Sequence, residues 1–167
     1  MSTKRVLVAY GSKHGATAGI AREIGESLRE DGLDAVVVAA DEVTDVRDYD
    51  AVVLGGALYA GHWNSEAARC AQRNEEDLRH RPVWLFSSGP LDASAEEKDI
   101  PPVPSVAREM QKLGAREHVT FGGSVTAATP GLITKALLHQ GKGGDYRNPD
   151  RIHAWAHHIA SELTSAA

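Results

Sequence analysis

The chain has 167 residues, 42% of them hydrophobic and 25% charged, which is typical of one globular domain over residues 1–167 and unlike a disordered chain. Its formal net charge of −5 comes from 18 basic and 23 acidic residues scattered along the sequence, which argues against nucleic acid or an anionic membrane as a partner. The single cysteine, Cys70, excludes an intramolecular disulfide, and no apolar run approaches a membrane span, so we expect a cytoplasmic protein without an integral membrane segment.

Apolar runs and amphipathic segments alternate through the first two thirds of the chain. Residues 6–10 predict a buried strand, and residues 15–32 predict a helix that ends with Gly32 in its C-terminal cap. The apolar stripe of that helix is Ile20, Ile24 and Leu28. Further strands are predicted at 35–40, 49–54, 82–86 and 118–122, and further helices at 65–78, with Ser65 as the N-cap, and at 103–113.

The last third of the chain has a weaker pattern. Residues 130–139 predict a short amphipathic helix, and residues 140–147, which contain three glycines, predict a loop. Asn148 as the N-cap and Pro149 as the first helical residue then predict the start of a final helix. The apolar stripe of that helix is Ile152, Trp155, Ile159 and Leu163.

Strands that are apolar throughout and separated by helices predict a parallel sheet covered on both faces. Five such strands fit an α/β domain with three layers and a doubly wound sheet. In such a sheet, ligands bind outside the carboxyl ends of the strands. The loops after the first, third and fourth strands are therefore the candidate functional site.

The loop after the first strand has the composition of an anion site, because it is rich in glycine and hydroxyl groups and leads directly into a helix. Backbone N–H groups at a helix N-terminus point outward, and the helix dipole favours negative charge there, so the loop predicts a phosphate site. The alternative is an ordinary capping loop. The Walker and dinucleotide glycine patterns are absent, and the strand ends lack the acidic residues of a phosphoacceptor domain. The loop residues are Ser12, Lys13, His14, Gly15, Ala16 and Thr17.

The loop after the third strand combines glycine with two large aromatic side chains. Tyr59 and Trp63 predict a stacking surface for a flat ring, with the alternative that they close the top of the core. Gly61 permits a backbone rearrangement, and His62 is a possible proton donor, although a solvated loop histidine is the favoured interpretation. The cofactor-contacting residues predicted in this loop are Ala57, Leu58, Tyr59, Gly61, His62 and Trp63.

The loop after the fourth strand adds small polar residues, Ser88 and Gly89 among them, at the same edge. A phosphate loop, an aromatic loop and a small polar loop that converge on one edge predict a mononucleotide that carries a planar heterocycle. FMN is the simplest such ligand. No residue is assigned a catalytic role, and no metal site is predicted, since His153 and His157 share one helix face without a third ligand nearby.

These motifs resemble those of the flavodoxin-like superfamily. Residues 12–17 resemble its Thr/Ser-x-x-Gly-x-Thr phosphate loop, and residues 52–56 resemble its third strand. Within the superfamily, residues 49–57, Tyr59, Gly61-His62 and Gly-Gly-Asp at 143–145 are most similar to the menaquinone-dependent protoporphyrinogen oxidase group. The resemblance implies strand order 2-1-3-4-5 and FMN as the cofactor. It also implies that residues 12–17 hold the phosphate, residues 57–63 flank the ring and residues 87–90 meet its pyrimidine side.

Three functions are compatible with this interpretation, and the sequence does not decide between them. It does not define the oligomeric state either. The first is an FMN-dependent oxidoreductase that acts on a small molecule such as a quinone or a porphyrinogen. The second is a one-electron carrier to a redox partner protein, for which acidic residues between 92 and 99 supply part of a docking rim. The third is a flavin-free binding module on the same fold. Flavin content separates the third function from the other two.

Overall fold

Five parallel strands form the central sheet, and a short sixth strand extends one of them as a hairpin. The strands are β1 (Arg5–Gly11), β2 (Asp34–Ala39), β3 (Ala51–Tyr59), β4 (His62–Trp63), β5 (Val83–Ser88) and β6 (Glu117–Phe121). Their order is β2-β1-β3-β5-β6, and β4 pairs antiparallel with β3. Without the two-residue β4, this is the order 2-1-3-4-5 along the chain, so the predicted doubly wound topology is confirmed.

Helices connect the strands and cover both faces of the sheet. They are α1 (Ala16–Glu30), α2 (Ser65–Arg73), α3 (Glu75–Leu78), α4 (Pro104–Leu113) and α5 (Pro149–Ser165), with a 3₁₀ turn at Ala40–Glu42. Two short strands, β7 (Ser124–Val125) and β8 (Gly144–Asp145), pair antiparallel outside the main sheet. The computed structural model describes residues 3–11, 15–59, 62–89, 101–122, 124–125, 144–145 and 148–165. The helix expected at 130–139 and most of the loop expected at 140–147 lie outside this part of the chain.

Two hydrophobic clusters, one on each face of the sheet, hold the three layers together. The first packs α1 and α5 against the sheet, and the predicted stripes of both helices are buried in it. The second packs α2, α3 and α4 against the opposite face. Side chains alternate between the faces along each strand, so Val6 and Val8 enter the first cluster while Leu7 and Ala9 enter the second.

The structure contains the expected C-terminal cap of α1 and the expected N-terminal cap of α5. Gly32 adopts φ 89°, and the N–H groups of Gly32 and Leu33 donate to the carbonyl oxygens of Arg29 and Leu28, which is a Schellman cap. At the start of α5, Asn148 Oδ1 accepts the backbone N–H of Arg151 at 3.3 Å. Both caps confirm the predicted boundaries.

The helix predicted at residues 65–78 differs from the structure in two respects. Its N-cap is Asn64 rather than Ser65, because Asn64 Oδ1 accepts the backbone N–H groups of Glu66 at 2.8 Å and Ala67 at 3.2 Å. The helix also divides at Asn74, whose side-chain amide donates to the carbonyl oxygen of Cys70 at 2.9 Å. The backbone N–H of Asn74 donates to the same oxygen, and Asn74 leaves helical geometry at φ −111° and ψ 14°, where α2 ends and α3 begins.

The third strand is longer than predicted. The prediction ended it at Leu54, before Gly55 and Gly56, whereas β3 continues through both glycines to Tyr59. Gly55 aligns with Tyr10 of β1 and with Phe86 of β5, so the strand is paired on both sides there. The strand therefore carries the aromatic loop beyond the neighbouring strand ends, and β3 and β4 form a tight hairpin.

Among the residues that the structure describes, no helix has the length and apolarity needed to cross a membrane.

Candidate functional site

The sheet register brings the ends of three strands to one edge. Gly11 at the end of β1 aligns with Gly56 of β3, and Ala57 aligns with Ser88 at the end of β5. Because the strands are parallel, the loops that follow β1 and β5 leave from the same edge as the β3–β4 hairpin. The three segments selected in the sequence are thus neighbours in the fold.

The N-terminus of α1 lies at this edge. Its N-cap residue, Gly15, adopts the left-handed conformation at φ 83° and, as a glycine, has no capping side chain of its own. The first turn contains no acidic residue. These are the conditions under which the positive end of a helix dipole accepts an anion. The predicted contacts from Ser12, Lys13 and His14 lie outside the described residues, as does the side chain of Ala16.

A hydrogen bond joins the first of these loops to the third. The Oγ1 atom of Thr17, in the first turn of α1, lies 2.6 Å from the Oγ atom of Ser88 at the end of β5. Both side chains are buried, with exposures of 0% for Thr17 and 4% for Ser88. Two residues that are 71 positions apart in the sequence therefore fix the helix start against the strand end.

Gly89 continues this arrangement toward the β3–β4 hairpin. It adopts φ 114°, and its backbone N–H donates to the carbonyl oxygen of Phe121 at 3.0 Å. A Cβ atom placed on Gly89 would lie 3.7 Å from the Cβ atom of Leu58. The end of β5 and the hairpin are thus in near contact, and the positive φ favours glycine at this turn.

The side chains of the β3–β4 hairpin differ in their exposure to solvent. Ala57 and Leu58 are partly exposed, and His62 is exposed to solvent. Trp63 is 7% exposed and belongs to the α2–α4 face of the core, with its Nε1 donating to the carbonyl oxygen of Phe86 at 3.3 Å. The Trp63 ring thus packs in the core, and its contact with a cofactor stays a prediction. Gly61 and the side chain of Tyr59 lie outside the described residues.

Two glycines allow α2 and the hairpin to approach the strand ends closely. A Cβ atom on Gly11 would lie 2.3 Å from Oδ1 of Asn64, the N-cap of α2. A Cβ atom on Gly56 would lie 2.7 Å from Nε1 of Trp63. Any side chain at either position would push α2 or the indole away from the sheet. These glycines therefore determine how closely α2 and the β3–β4 hairpin pack against the strand ends at the candidate site.

A serine–histidine pair, with Ser87 buried and His118 partly buried, was missed in the sequence. Ser87 Oγ lies 2.8 Å from Nε2 of His118 on the neighbouring strand β6, and Ser87 is 1% exposed. Burial lowers the pKa of the His118 imidazole to about 4, so the ring is neutral at physiological pH. Ser87 precedes Ser88 directly, so this pair supports the strand end that carries the candidate site. Only the β5–β6 register reveals the pairing, since no local motif links the two residues.

The low pKa of His118 predicts a dependence of stability on pH. In the unfolded chain the imidazole binds a proton near pH 6.5, but in the folded protein only near pH 4. The unfolded state therefore binds more protons between these values, and His118 lowers the free energy of unfolding as the pH falls from about 6.5 toward 4. We expect this loss to be on the order of 1–3 kcal/mol.

The variant His118→Gln separates this effect from that of the other histidines, because glutamine offers Ser87 a polar partner that does not titrate. Urea unfolding of both proteins between pH 7.5 and 4.5 measures the difference in free energy. That difference is expected to shift in favour of the variant as the pH falls. A difference that is constant with pH would contradict a neutral, partly buried His118 in the folded protein.

The histidines of α5 pair with carboxylates rather than forming an open polar face. His157 Nδ1 lies 2.5 Å from Oδ2 of Asp31, and His153 Nε2 lies 3.8 Å from Oε2 of Glu23, both across the seam between α1 and α5. Within the described ranges, no group of three metal-ligating side chains is found. Cys70 is buried, and burial raises the pKa of its thiol, which makes it a structural residue.

Fold and site together define a doubly wound α/β domain of the flavodoxin type. The sequence pattern of the flavodoxin domain family matches residues 7–140. The chain belongs to this family. Family membership supports a redox function of the FMN type.

Among sequenced relatives, the chain is similar to protoporphyrinogen IX dehydrogenase [quinone] of Escherichia coli strain K12. The two are 27% identical over 107 residues, which cover 63% of this chain. The match spans 59% of the length of that relative.

Solved structures with the same fold cover almost the whole chain. Rubredoxin:oxygen oxidoreductase of Desulfovibrio gigas superposes with a TM-score of 0.67 at 16% identity, covering 99% of this chain and 38% of that one. Flavodoxin 2 of Bacillus cereus superposes with a TM-score of 0.62 at 21% identity, covering 96% of this chain and 99% of that one. At these identities the likeness establishes the fold alone.

Proposed function

We propose that the chain binds FMN at the edge formed by β1, β3 and β5 and acts as a flavin-dependent oxidoreductase on a small molecule. The observation that carries the proposal is the Thr17–Ser88 hydrogen bond, because it ties the start of α1 to the strand end beside the hairpin. A mononucleotide needs an anion site and a ring site at a fixed separation, and a rigid link between the two segments provides that.

In this proposal the first turn of α1 and the preceding residues, 12–17, hold the phosphate. The left-handed Gly15 and the absence of acidic residues in the first turn support an anion there. Thr17 contributes its hydroxyl group. A hydroxyl group can accept a hydrogen bond from Ser88 and donate one to a phosphate oxygen at the same time.

The ring site is assigned to the hairpin and to the end of β5. Partly exposed Ala57 and Leu58, together with Tyr59, Gly61 and His62, would meet the ring, while backbone groups at Ser88 and Gly89 would bind its polar edge. Trp63 would act from the core side and hold the hairpin in place, consistent with its burial and its bond to Phe86. The residues beneath, Ser87 and neutral His118, add no charge to the site.

When bound, FMN supplies the electron-transfer chemistry, and the protein supplies binding, orientation and electrostatics. The oxidoreductase assignment is supported by the E. coli relative, whose name describes a dehydrogenase of protoporphyrinogen IX that uses a quinone. A one-electron carrier to a redox partner protein is the second function that the family supports. We also propose a cytoplasmic location, in keeping with the single, unpaired Cys70.

The visible absorption spectrum tests the cofactor assignment directly. Purified protein is measured as isolated, and again after incubation with FMN followed by desalting. A flavin spectrum retained at one FMN per chain is expected. A colourless protein that releases all added FMN would overturn the proposal and favour the flavin-free binding module. Reoxidation of the dithionite-reduced flavoprotein by a soluble quinone then separates an enzyme from a carrier that reduces only a protein.

A further inference from the structure

A groove lies between α2 and α4, on the face of the sheet opposite the Thr17–Ser88 contact. Its volume is about 320 Å³, with Gln72 of α2 on one side and Glu109 of α4 on the other. The indole of Trp63 and the exposed His62 close the end nearest the hairpin. The groove therefore adjoins the candidate ring site but is built from a different pair of helices.

The groove contains a buried carboxylate oxygen that has no hydrogen-bond partner in the described part of the chain. Glu109 is only 7% exposed, and its Oε2 atom is buried without a hydrogen-bond partner among the described residues. One turn earlier, Ser105 also lines the groove, and its Oγ atom is likewise buried and unpartnered in that part of the chain. Buried polar groups in native proteins are almost always hydrogen-bonded, since an unsatisfied one is costly. Two such groups on one face of α4 point to a ligand that carries a hydrogen-bond donor.

The residues around Glu109 limit what that ligand can be. Desolvation raises the pKa of Glu109, while Lys112 lowers it, and the weaker effects of Glu75 and Arg108 act in opposite directions, Glu75 raising it and Arg108 lowering it. Arg108 and Lys112 both line the groove and are exposed. Their positive charge disfavours a cationic ligand and attracts an anion. The indole of Trp63 adds a flat apolar wall.

We propose that this groove binds a small aromatic carboxylate that also carries an N–H or O–H donor. The donor would bond Oε2 of Glu109, the ring would lie against Trp63, and the carboxylate would face Arg108 and Lys112. This site adjoins the proposed FMN site, with His62 and Trp63 of the hairpin at their boundary, and needs no bound flavin. It gives the protein a specific place for a small acid directly beside the hairpin.

The probe for the test is 4-aminobenzoate, which combines an uncharged amino group, one ring and a carboxylate. Titration into ¹⁵N-labelled protein as isolated, followed by NMR, is expected to shift the Trp63 indole signal and the amide signals of α2 and α4. Benzoate, which lacks the donor, is the matched control and is expected to bind at least fivefold more weakly. Signals of α1 and α5 are expected to stay in place. Shifts confined to other regions, or none up to the solubility limit of the probe, would overturn the proposal.

Two variants distinguish binding of 4-aminobenzoate in the groove from nonspecific binding elsewhere on the protein. Glu109→Leu removes the buried acceptor at similar volume and is expected to weaken binding of 4-aminobenzoate at least tenfold. Because it replaces an unsatisfied buried carboxylate with an apolar group, the variant is expected to remain folded. The exposed Glu76→Leu is the control and is expected to leave binding unchanged. Equal affinity in wild type and Glu109→Leu would contradict the site, whatever the flavin content of the protein.

Discussion

Replacing Gly55 with alanine is expected to lower the free energy of unfolding by more than about 3 kcal/mol, a large fraction of the stability of a domain. A Cβ atom at this position would lie 2.0 Å from Cζ of Phe86 and 2.2 Å from both its Cε atoms. The ring has no room to retreat, because it is fully buried and packs edge-on against Phe121 and Trp155, with ring centroids 6.2 and 6.3 Å away. Urea unfolding measures the loss.

The second-site variant Phe86→Leu tests whether this collision is the cause. Leucine lacks the ring atoms that a Cβ at Gly55 would meet, so the double variant is expected to be more stable than the sum of the two single losses predicts. Simple additivity of the two losses would show that alanine acts at Gly55 through some other mechanism.

Gly55 also shows why the sequence placed the third strand correctly but ended it too early. A Gly-Gly pair usually marks a turn, and local pattern gives no reason to continue a strand through it. Here the missing side chain is required by Phe86, which comes from another strand through the sheet register. Long-range packing of this kind has no local signal.

Features that depend on short-range periodicity were predicted well. The buried stripes of α1 and α5 repeat every three or four residues, and the caps at Gly32 and Asn148 follow from backbone chemistry within one turn. The strand order rested on the family resemblance rather than on the strands themselves. At the start of α2, Asn64 and Ser65 are equally good N-caps, and only the structure distinguishes them.

The candidate site likewise has features that a local sequence pattern predicts and features that only the tertiary structure reveals. Glycine and hydroxyl groups before a helix are visible in the sequence, so the start of α1 could be selected as an anion site. The Thr17–Ser88 bond, the Ser87–His118 pair and the unsatisfied Glu109 each depend on which strand or helix lies alongside. The sequence therefore indicates where a ligand binds better than it indicates how the site is supported.

Replacing Thr17 with aspartate is expected to abolish FMN binding. The carboxylate would lie in the first turn of α1, where the proposal puts the cofactor phosphate, and two negative charges at close range in a buried site repel strongly. Thr17 is fully buried, so an unpaired charge there also costs stability. Circular dichroism establishes whether the variant folds, and FMN titration followed by fluorescence quenching measures its affinity.

The variant Thr17→Val keeps the test decisive if the aspartate variant fails to fold. Valine preserves the shape of threonine without the hydroxyl group, so it removes both the bond to Ser88 and the proposed bond to phosphate. We expect a loss of FMN affinity of about tenfold, or about 1.4 kcal/mol. Thr17→Ser retains the hydroxyl group and is the matched control, with affinity close to that of the wild type. FMN affinity that is the same in the valine and serine variants would remove Thr17 from the phosphate site and leave it the purely structural role of joining α1 to β5.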